Sequence, residues 1–226
     1  MIAIVVPTIG GTRWSAIDSA SLSNLRSHAG VFSAYATDWK DRLPYFTDPT
    51  LPTTPVSNPA RDYTVDSSYF SAHFNWPVAL ADPYYDGNHD SSVFFYPGGG
   101  RARPGLRDRV AISPYWYGCS FIATADYWNS RTRVAGITQL RPTSLSDAVF
   151  PADKMLMLEP YPAIQAVAPG PFKAGMAFLD SSAGREPVGF PQTDSLGDGD
   201  ATQPYYHFNP WPPTMHSTNG IRGRDR

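Results

Sequence analysis

Three aspartates in the C-terminal third of the chain have a spacing that could bind a metal ion. Asp194, Asp198 and Asp200 could supply carboxylate ligands. The glycines between them, Gly197 and Gly199, would let a short loop turn tightly around an ion. Calcium takes about six to eight oxygen ligands, although the spacing here lacks the full EF-hand pattern. We expect either a calcium site or a solvated acidic turn at this position.

The other chemistry-bearing residues do not form a catalytic motif. The five histidines have no metal-ligand spacing such as H-E-x-x-H, and the sequence contains no G-x-S-x-G elbow. Glycines 98–100 precede Arg101 rather than the Lys-Ser or Lys-Thr of a phosphate-binding loop. Cys119 adjoins an apolar pair and is predicted to be buried and inert. His28 is predicted on a helix surface. We expect no catalytic residues and a protein that is not an enzyme.

A series of aromatic residues near the C-terminus offers a different kind of site. Aromatic side chains beside polar groups can stack on sugars or form subunit contacts. In a proline-rich chain with few aliphatic residues, the same side chains can instead supply core packing. A secreted glycan-binding domain is therefore one hypothesis for the function. The series comprises Tyr205, Tyr206, Phe208 and Trp211, with Trp116 and Trp128 elsewhere.

Composition limits the classes of partner and fold. Of 226 residues, 42% are hydrophobic, which is enough to bury a core. Lys and Arg total 18 against 20 Asp and Glu, so no concentrated basic surface is expected and nucleic acid is not expected as a partner. Arg222, Arg224 and Arg226 are predicted to form a solvated tail. The 23 prolines and 14% aromatic residues predict long, stiff loops packed by aromatic side chains.

The N-terminal region is predicted to form one long helix. The helix is predicted over residues 8–39, and from residue 22 onward its apolar side chains alternate at spacings of three and four, which places them on one helical stripe. At about 1.5 Å per residue this helix would be roughly 48 Å long, so its first part is expected to project from the domain. Pro44 and the prolines beyond it are expected to end it. The stripe consists of Leu22, Leu25, Ala29, Phe32, Ala36 and Trp39.

The following region predicts long loops and then a small antiparallel sheet, hence an α+β fold. Residues 45–118 are expected to be loop-dominated, with short strands at 93–96 and 110–112. A strand is also expected at 119–123. The run 154–159 is apolar with a charge at each end, which is typical of a buried strand. Residues 174–179 form another strand that is expected to return, after a turn at 180–184, through residues 185–188.

The region from Ile2 to Pro44 resembles the N-terminal region of type IV pilins and type II secretion pseudopilins, especially large planctomycete-type pseudopilin-like proteins. Four elements carry the resemblance in the family's order: residues 3–7, an apolar segment ending in Pro7; residues 23–26, Ser-Asn-Leu-Arg; Tyr35-Ala36 with Asp38; and residues 42–44, Arg-Leu-Pro. The family's leader, its Phe-Thr-Leu-[Ile/Val]-Glu motif and most of its membrane helix have no counterpart, so we expect an N-terminally truncated chain.

The C-terminal half resembles the same families more weakly. The turn Asp180-Ser181-Ser182 is similar to the family's Asp-Gly-Ser turn, and Asn209-Pro210-Trp211 is similar to its Asn-, Pro- and Trp-rich tail. The resemblance implies a pilin-like helix at residues 1–43 and a globular head at 44–226. It also strengthens the expectation of calcium in the C-terminal loop, because major pseudopilins carry calcium there.

The resemblance implies a structural filament subunit of a pilus or secretion pseudopilus in the bacterial cell envelope. Its implied partners are further copies, other pilins or secretion components, and the membrane through the missing segment. The segment containing Ile2, Ile4, Val5 and Pro7 would face the membrane or filament axis. The stripe, including Leu22, Leu25, Phe32 and Trp39, would hold the helix on the sheet. The glycan-binding domain, with no filament role, is the alternative.

Overall fold

The structure is a computed structural model, and it describes most of the helix and sheet that the sequence predicts. The described residues are 5–46, 48–50, 53–58, 61–66, 69–89, 91–97, 113–159, 173–187 and 217–225. Within these ranges the side chains are described except at residues 5–11, 53–58, 61–66, 71 and 72.

Helix α1 runs from Val5–Asp38 and at 34 residues is about 51 Å long. The predicted helix at 8–39 is therefore confirmed, and it continues through Pro7 and the two following glycines without a break. The helix ends before the proline-rich stretch, because Lys40 adopts a left-handed conformation with φ of 55°. The N–H of Asp41 then donates to the carbonyl of Ala36 at 2.7 Å, which satisfies a terminal helix carbonyl as in a Schellman motif.

The segment between α1 and the sheet contains more regular structure than the sequence predicts. Strands β1 (Thr53–Asn58) and β2 (Arg61–Asp66) form an antiparallel hairpin in a region expected to be loop. Helix α2 (Ala72–Asn75) is followed by α3 (Pro77–Tyr84). Proline at the first position of α3 suits a helix start, since its missing N–H would be unpaired there in any case.

Four antiparallel strands form the sheet that the C-terminal half predicts. Its order is β3 (Trp116–Tyr117), β4 (Met155–Leu158), β5 (Lys173–Phe178) and β6 (Ala183–Pro187). The predicted buried strand at 154–159 is confirmed as β4, and the predicted hairpin is confirmed as β5 and β6. The described residues thus form an α+β fold.

Two predicted short strands are instead 3-10 turns. At 93–96 the chain forms the turn Ser92–Phe94, in which Phe94 N–H donates to the carbonyl of Ser91 at 3.1 Å. At 119–123 it forms the turn Cys119–Phe121, closed by Ile122 N–H donating to the carbonyl of Cys119 at 3.2 Å. These local hydrogen bonds replace the ladder of a strand. The predicted strand at 110–112 lies outside the described residues.

Aromatic rings fill much of the core between α1 and the sheet. The ring of Phe32 on α1 lies 5.6 Å from Trp76 and 4.8 Å from Tyr117, between ring centroids. Tyr117 in turn stacks on Phe121 at 5.4 Å. Trp76 also donates its indole N–H to the carbonyl of Tyr115 at 2.7 Å, so its polar atom is satisfied on burial. Aromatic packing is thus a main component of the core.

The C-terminal residues 217–225 pack against the start of β4. Lys154, buried completely, lies 3.1 Å from a carboxylate oxygen of Asp225. The same carboxylate accepts the backbone N–H of Met155 at 2.8 Å. Arg222 and Arg224 are exposed, as predicted, although the segment that carries them packs against the start of β4.

Candidate functional site

Helix α1 has two parts that differ in exposure, and this division defines the candidate site. None of residues 12–20 is buried, and Trp14 is 65% exposed. From Ser21 onward one face of the helix is covered by the head. An exposed tryptophan on a helix outside the core is an apolar surface available to a partner. The first part of α1, residues 12–20, is called the projecting segment below.

The predicted stripe is mostly buried, but its two ends are not. Leu25, Ala29, Phe32 and Ala36 are each 1% exposed or less, and Leu22 is half-buried against the core. The expectation that Trp39 packs the helix onto the sheet is wrong. The helix ends one residue earlier, and Trp39 is 55% exposed. Its ring stacks on Tyr35 at 5.4 Å instead of entering the core.

The remaining predicted contact residues lie at the start of the chain. Ile2 and Ile4 lie outside the described residues. Val5 and Pro7 belong to α1, but only their helical backbone is described. Their role towards a membrane or filament axis stays a prediction.

A buried polar cluster joins α1 to the sheet where the projecting segment meets the covered part of the helix. Glu159, fully buried at the end of β4, accepts the Ser21 hydroxyl at 2.8 Å. Arg185 on β6 lies 3.3 Å from the same Oε2 and also pairs with Asp18 on α1. Burial raises the pKa of Glu159, while Arg185 and Ser21 act in the opposite direction. The cluster thus joins one helix to two strands around a single buried carboxyl group.

A tyrosine extends this cluster along α1. The hydroxyl of Tyr115 lies 3.1 Å from Ser21 Oγ and accepts the side-chain amide of Asn24 at 3.4 Å. Because Ser21 gives its own proton to Glu159, the Tyr115 hydroxyl is the donor to Ser21. Two successive turns of α1 are therefore fixed to the head by side-chain hydrogen bonds.

Gly175 lets α1 approach β5 closely. A Cβ atom at this position would lie 2.6 Å from Oε2 of Glu159 and 3.0 Å from Cδ1 of Leu25. Real Cβ atoms essentially never come within 3.0 Å of another heavy atom, so a larger residue here would displace the buried Glu159 carboxyl group from its partners. Glycine normally weakens a sheet when it lies inside a strand, and the close packing against α1 explains its presence at this position.

His28 is a correction to the sequence prediction, which placed it on the helix surface. It is fully buried, with Nε2 2.9 Å from the carbonyl of Val93 and Nδ1 2.9 Å from the hydroxyl of Tyr85. The carbonyl can only accept, so Nε2 carries the proton and Nδ1 accepts from Tyr85. Burial lowers the pKa of His28 to about 4, against the opposing effect of the Val93 carbonyl. The neutral imidazole is a packing group that fixes the loop after α3.

The other residues that the sequence offers for chemistry are either buried in the core or lie outside the described residues. Cys119 is buried, as predicted, and burial raises the pKa of its thiol, which disfavours a reactive thiolate. The proposed calcium ligands Asp194, Asp198 and Asp200 lie outside the described residues, as do the aromatic residues 205–211. Among the residues that are described, no three His, Cys, Asp or Glu side chains form a group that could hold a metal ion.

Two further findings bear on the candidate site. Within the described part of the chain, none of the helices combines the length and apolar character that a membrane crossing requires. Comparison with protein-family models, with curated proteins and with solved structures found no match to this chain.

Proposed function

We propose that this chain is a non-catalytic structural subunit of a filament, of the type IV pilus or type II secretion pseudopilus class. The observation that carries the proposal is the two-part helix. The second part of α1 is buried against the sheet, whereas the projecting segment has no buried residue and carries the exposed Trp14. A helix that extends beyond its own head can pack against the same helix of further copies.

The polar cluster around Glu159 supports a mechanical role. A subunit in a filament must transmit load between its helix and its head without changing their angle. Ser21 connects the start of the covered part of α1 to Glu159, and Asp18, at the end of the projecting segment, pairs with Arg185. A buried charged group with several partners resists separation, because removing any one partner leaves an uncompensated polar group.

The proposed contact between copies is asymmetric, and this asymmetry determines the form of the assembly. A projecting helix that meets a different surface of the next copy makes a heterologous contact, which repeats and leaves the assembly open as a filament. In this proposal the chain works in the bacterial cell envelope, at the inner membrane, in the periplasm or on an extracellular filament. Other pilins or secretion components would be its further partners, and the pilin-like helix would be the assembly element.

Two exposed tryptophans provide a matched test of the proposal. Trp14 lies on the projecting segment and Trp39 lies beside the head, at 65% and 55% exposure. We expect Trp14→Ser to abolish recovery of the chain in sheared, high-molecular-mass surface fractions from the native host. Trp39→Ser should leave assembly unchanged, since Trp39 lies outside the projecting segment and its ring stacks on Tyr35 of its own chain. Equal assembly of the two variants and the wild type would contradict the proposal.

A further inference from the structure

A polar groove beside the C-terminal end of α1 is a second feature that the filament proposal does not use. It encloses about 310 Å³ between the end of α1, the turn Ala125–Trp128, the segment 141–147 and the turn Gly220–Arg222. Its volume lies at the lower end of the range for small-molecule sites, which is roughly 300 to 1,000 Å³. The groove is thus large enough for one small ligand.

Three arginines converge on this groove from different parts of the chain. Arg42 lies just after α1. Arg141 lies just before the backbone segment that hydrogen-bonds to the residues after α1, and Arg222 ends the last 3-10 turn. Within the described residues, none of the three guanidinium groups forms an ion pair. All three are exposed, so they are reachable from solvent. Several cationic side chains around one groove favour binding of an anion.

Two carboxylates line the same groove without neutralising it. Asp147 already accepts the backbone N–H of Ser144 at 3.1 Å. Asp126 is exposed and forms no ion pair within the described residues. The lining thus carries three arginines and two aspartates, and the excess is positive although the whole chain has a formal charge of −2. A carboxylate in such a groove can accept hydrogen bonds from a ligand's hydroxyl groups.

The backbone under the arginines is fixed by hydrogen bonds between the segments. Leu43 N–H donates to the Thr143 carbonyl at 3.0 Å, and Leu145 N–H donates to the Asp41 carbonyl at 2.8 Å. On the opposite wall, Gly220 has a φ of 52° and lies so close to Trp128 that an added Cβ would be 2.3 Å from its ring. The groove is therefore largely pre-formed, which lowers the ordering cost of binding.

We propose that this groove binds a small hydroxylated organic anion, namely a sugar acid or a sugar phosphate. The planar guanidinium group matches carboxylate and phosphate oxygens with two parallel hydrogen bonds. Asp126 accepts hydrogen bonds from the hydroxyl groups of the same ligand. The mixed charges select a ligand that carries both an anionic group and neutral donors, rather than an apolar molecule.

Calorimetric titration of the folded chain with four probes tests this inference. Glucuronate and glucose 6-phosphate present the two anionic groups on a sugar, glucose lacks the charge, and inorganic phosphate lacks the sugar. We expect at least one of the two sugar anions to bind, more weakly as salt rises to about 0.15 M because exposed charges are screened. Glucose should not bind, and inorganic phosphate should bind at least about tenfold more weakly than the sugar anion.

Matched arginine variants complete the test. The double variant Arg141→Gln, Arg222→Gln should weaken binding at least about tenfold, which corresponds to about 1.4 kcal/mol. Arg13→Gln removes an exposed arginine from α1, away from the groove, and should leave binding unchanged. Binding of glucuronate alone would assign a carboxylate ligand, and binding of glucose 6-phosphate alone would assign a phosphate ligand. Binding of neither probe, equal binding of inorganic phosphate, or undiminished binding by the double variant would overturn the inference.

Discussion

The hydroxyl group of Ser21 donates a 2.8 Å hydrogen bond to Oε2 of Glu159, which lies 138 residues further along the chain. Both side chains are fully buried, and the bond marks the boundary between the covered and projecting parts of α1. Removing the donor leaves a buried carboxyl group with fewer partners, and hydrogen bonds to charged groups are worth more than neutral ones.

We therefore expect Ser21→Ala to lower the free energy of unfolding by about 1 to 3 kcal/mol. Ser23→Ala, an exposed position on the same helix, is the control and should change it by less than about 0.5 kcal/mol. Urea unfolding followed by circular dichroism measures both. Equal stability of the two variants would show that the Ser21 bond does not anchor the helix.

Glycine substitutions on the two partners of the helix–sheet contact should have opposite effects. Gly30 lies in the exposed interior of α1, and an added Cβ there meets nothing within 4 Å. Gly30→Ala should stabilise the protein by about 0.5 to 1 kcal/mol through helix propensity. Gly175→Ala should destabilise it by about 1 to 3 kcal/mol, because the methyl group collides with Glu159 and Leu25. Thermal unfolding curves that shift in the same direction would contradict this packing.

Folding stability should depend on pH through His28. Its native pKa of about 4 lies below the ordinary value of 6.5, so between these values the unfolded chain binds a proton that the native chain does not. The contribution of His28 to the free energy of unfolding is therefore fully present above about pH 6.5. It is lost as the pH falls towards 4, by about 3 kcal/mol in total.

The variant His28→Gln removes this titration while retaining a side chain that can donate to the Val93 carbonyl. Its stability should change less than that of the wild type between pH 7 and pH 4.5. Urea midpoints at a series of pH values give the comparison. Parallel curves for the wild type and the variant would mean that His28 is not a buried neutral imidazole.

The buried pair Lys154–Asp225 should matter far more than the neighbouring exposed pair Arg224–Asp153. Removing one buried partner leaves the other charge uncompensated, so Asp225→Ala should cost about 3 to 5 kcal/mol. Arg224 is 59% exposed and lies 3.7 Å from Asp153, so Arg224→Gln should cost less than about 1 kcal/mol. Chemical denaturation of the two variants checks this, and a similar loss in both would contradict the burial of Asp225.

The elements predictable from sequence are those whose apolar spacing extends over many residues. Alternating spacings of three and four predict α1, and the apolar run between Lys154 and Glu159 predicts β4. The hairpin of β1 and β2 was not predictable in this way, because its prolines and polar residues are typical of loops. The turn Cys119–Phe121 resembles a strand in composition, but local hydrogen bonds determine its conformation.

The candidate site was only partly predictable, because its polar partners are distant in sequence. His28 interrupts an apolar stripe, and nothing near it in sequence indicates that Tyr85 and Val93 will satisfy its ring. In the sequence Glu159 is only a charged residue at the end of a strand. The structure is needed to show that Ser21 and Arg185 lie beside it. The apolar period continues to Trp39 and predicts it in the core, yet the helix ends at Asp38.

Cysteine cross-linking in the native host tests the filament proposal most directly. The chain has one cysteine, Cys119, which is buried, so introduced surface cysteines would be the main reactive thiols. The double variant Ser15→Cys, Ser27→Cys places exposed thiols on the projecting segment and on the covered part of α1. The wild type, treated identically, is the reagent control. The account predicts an oxidation-dependent ladder extending beyond dimers in the double variant, and products that stop at monomer or dimer would contradict it.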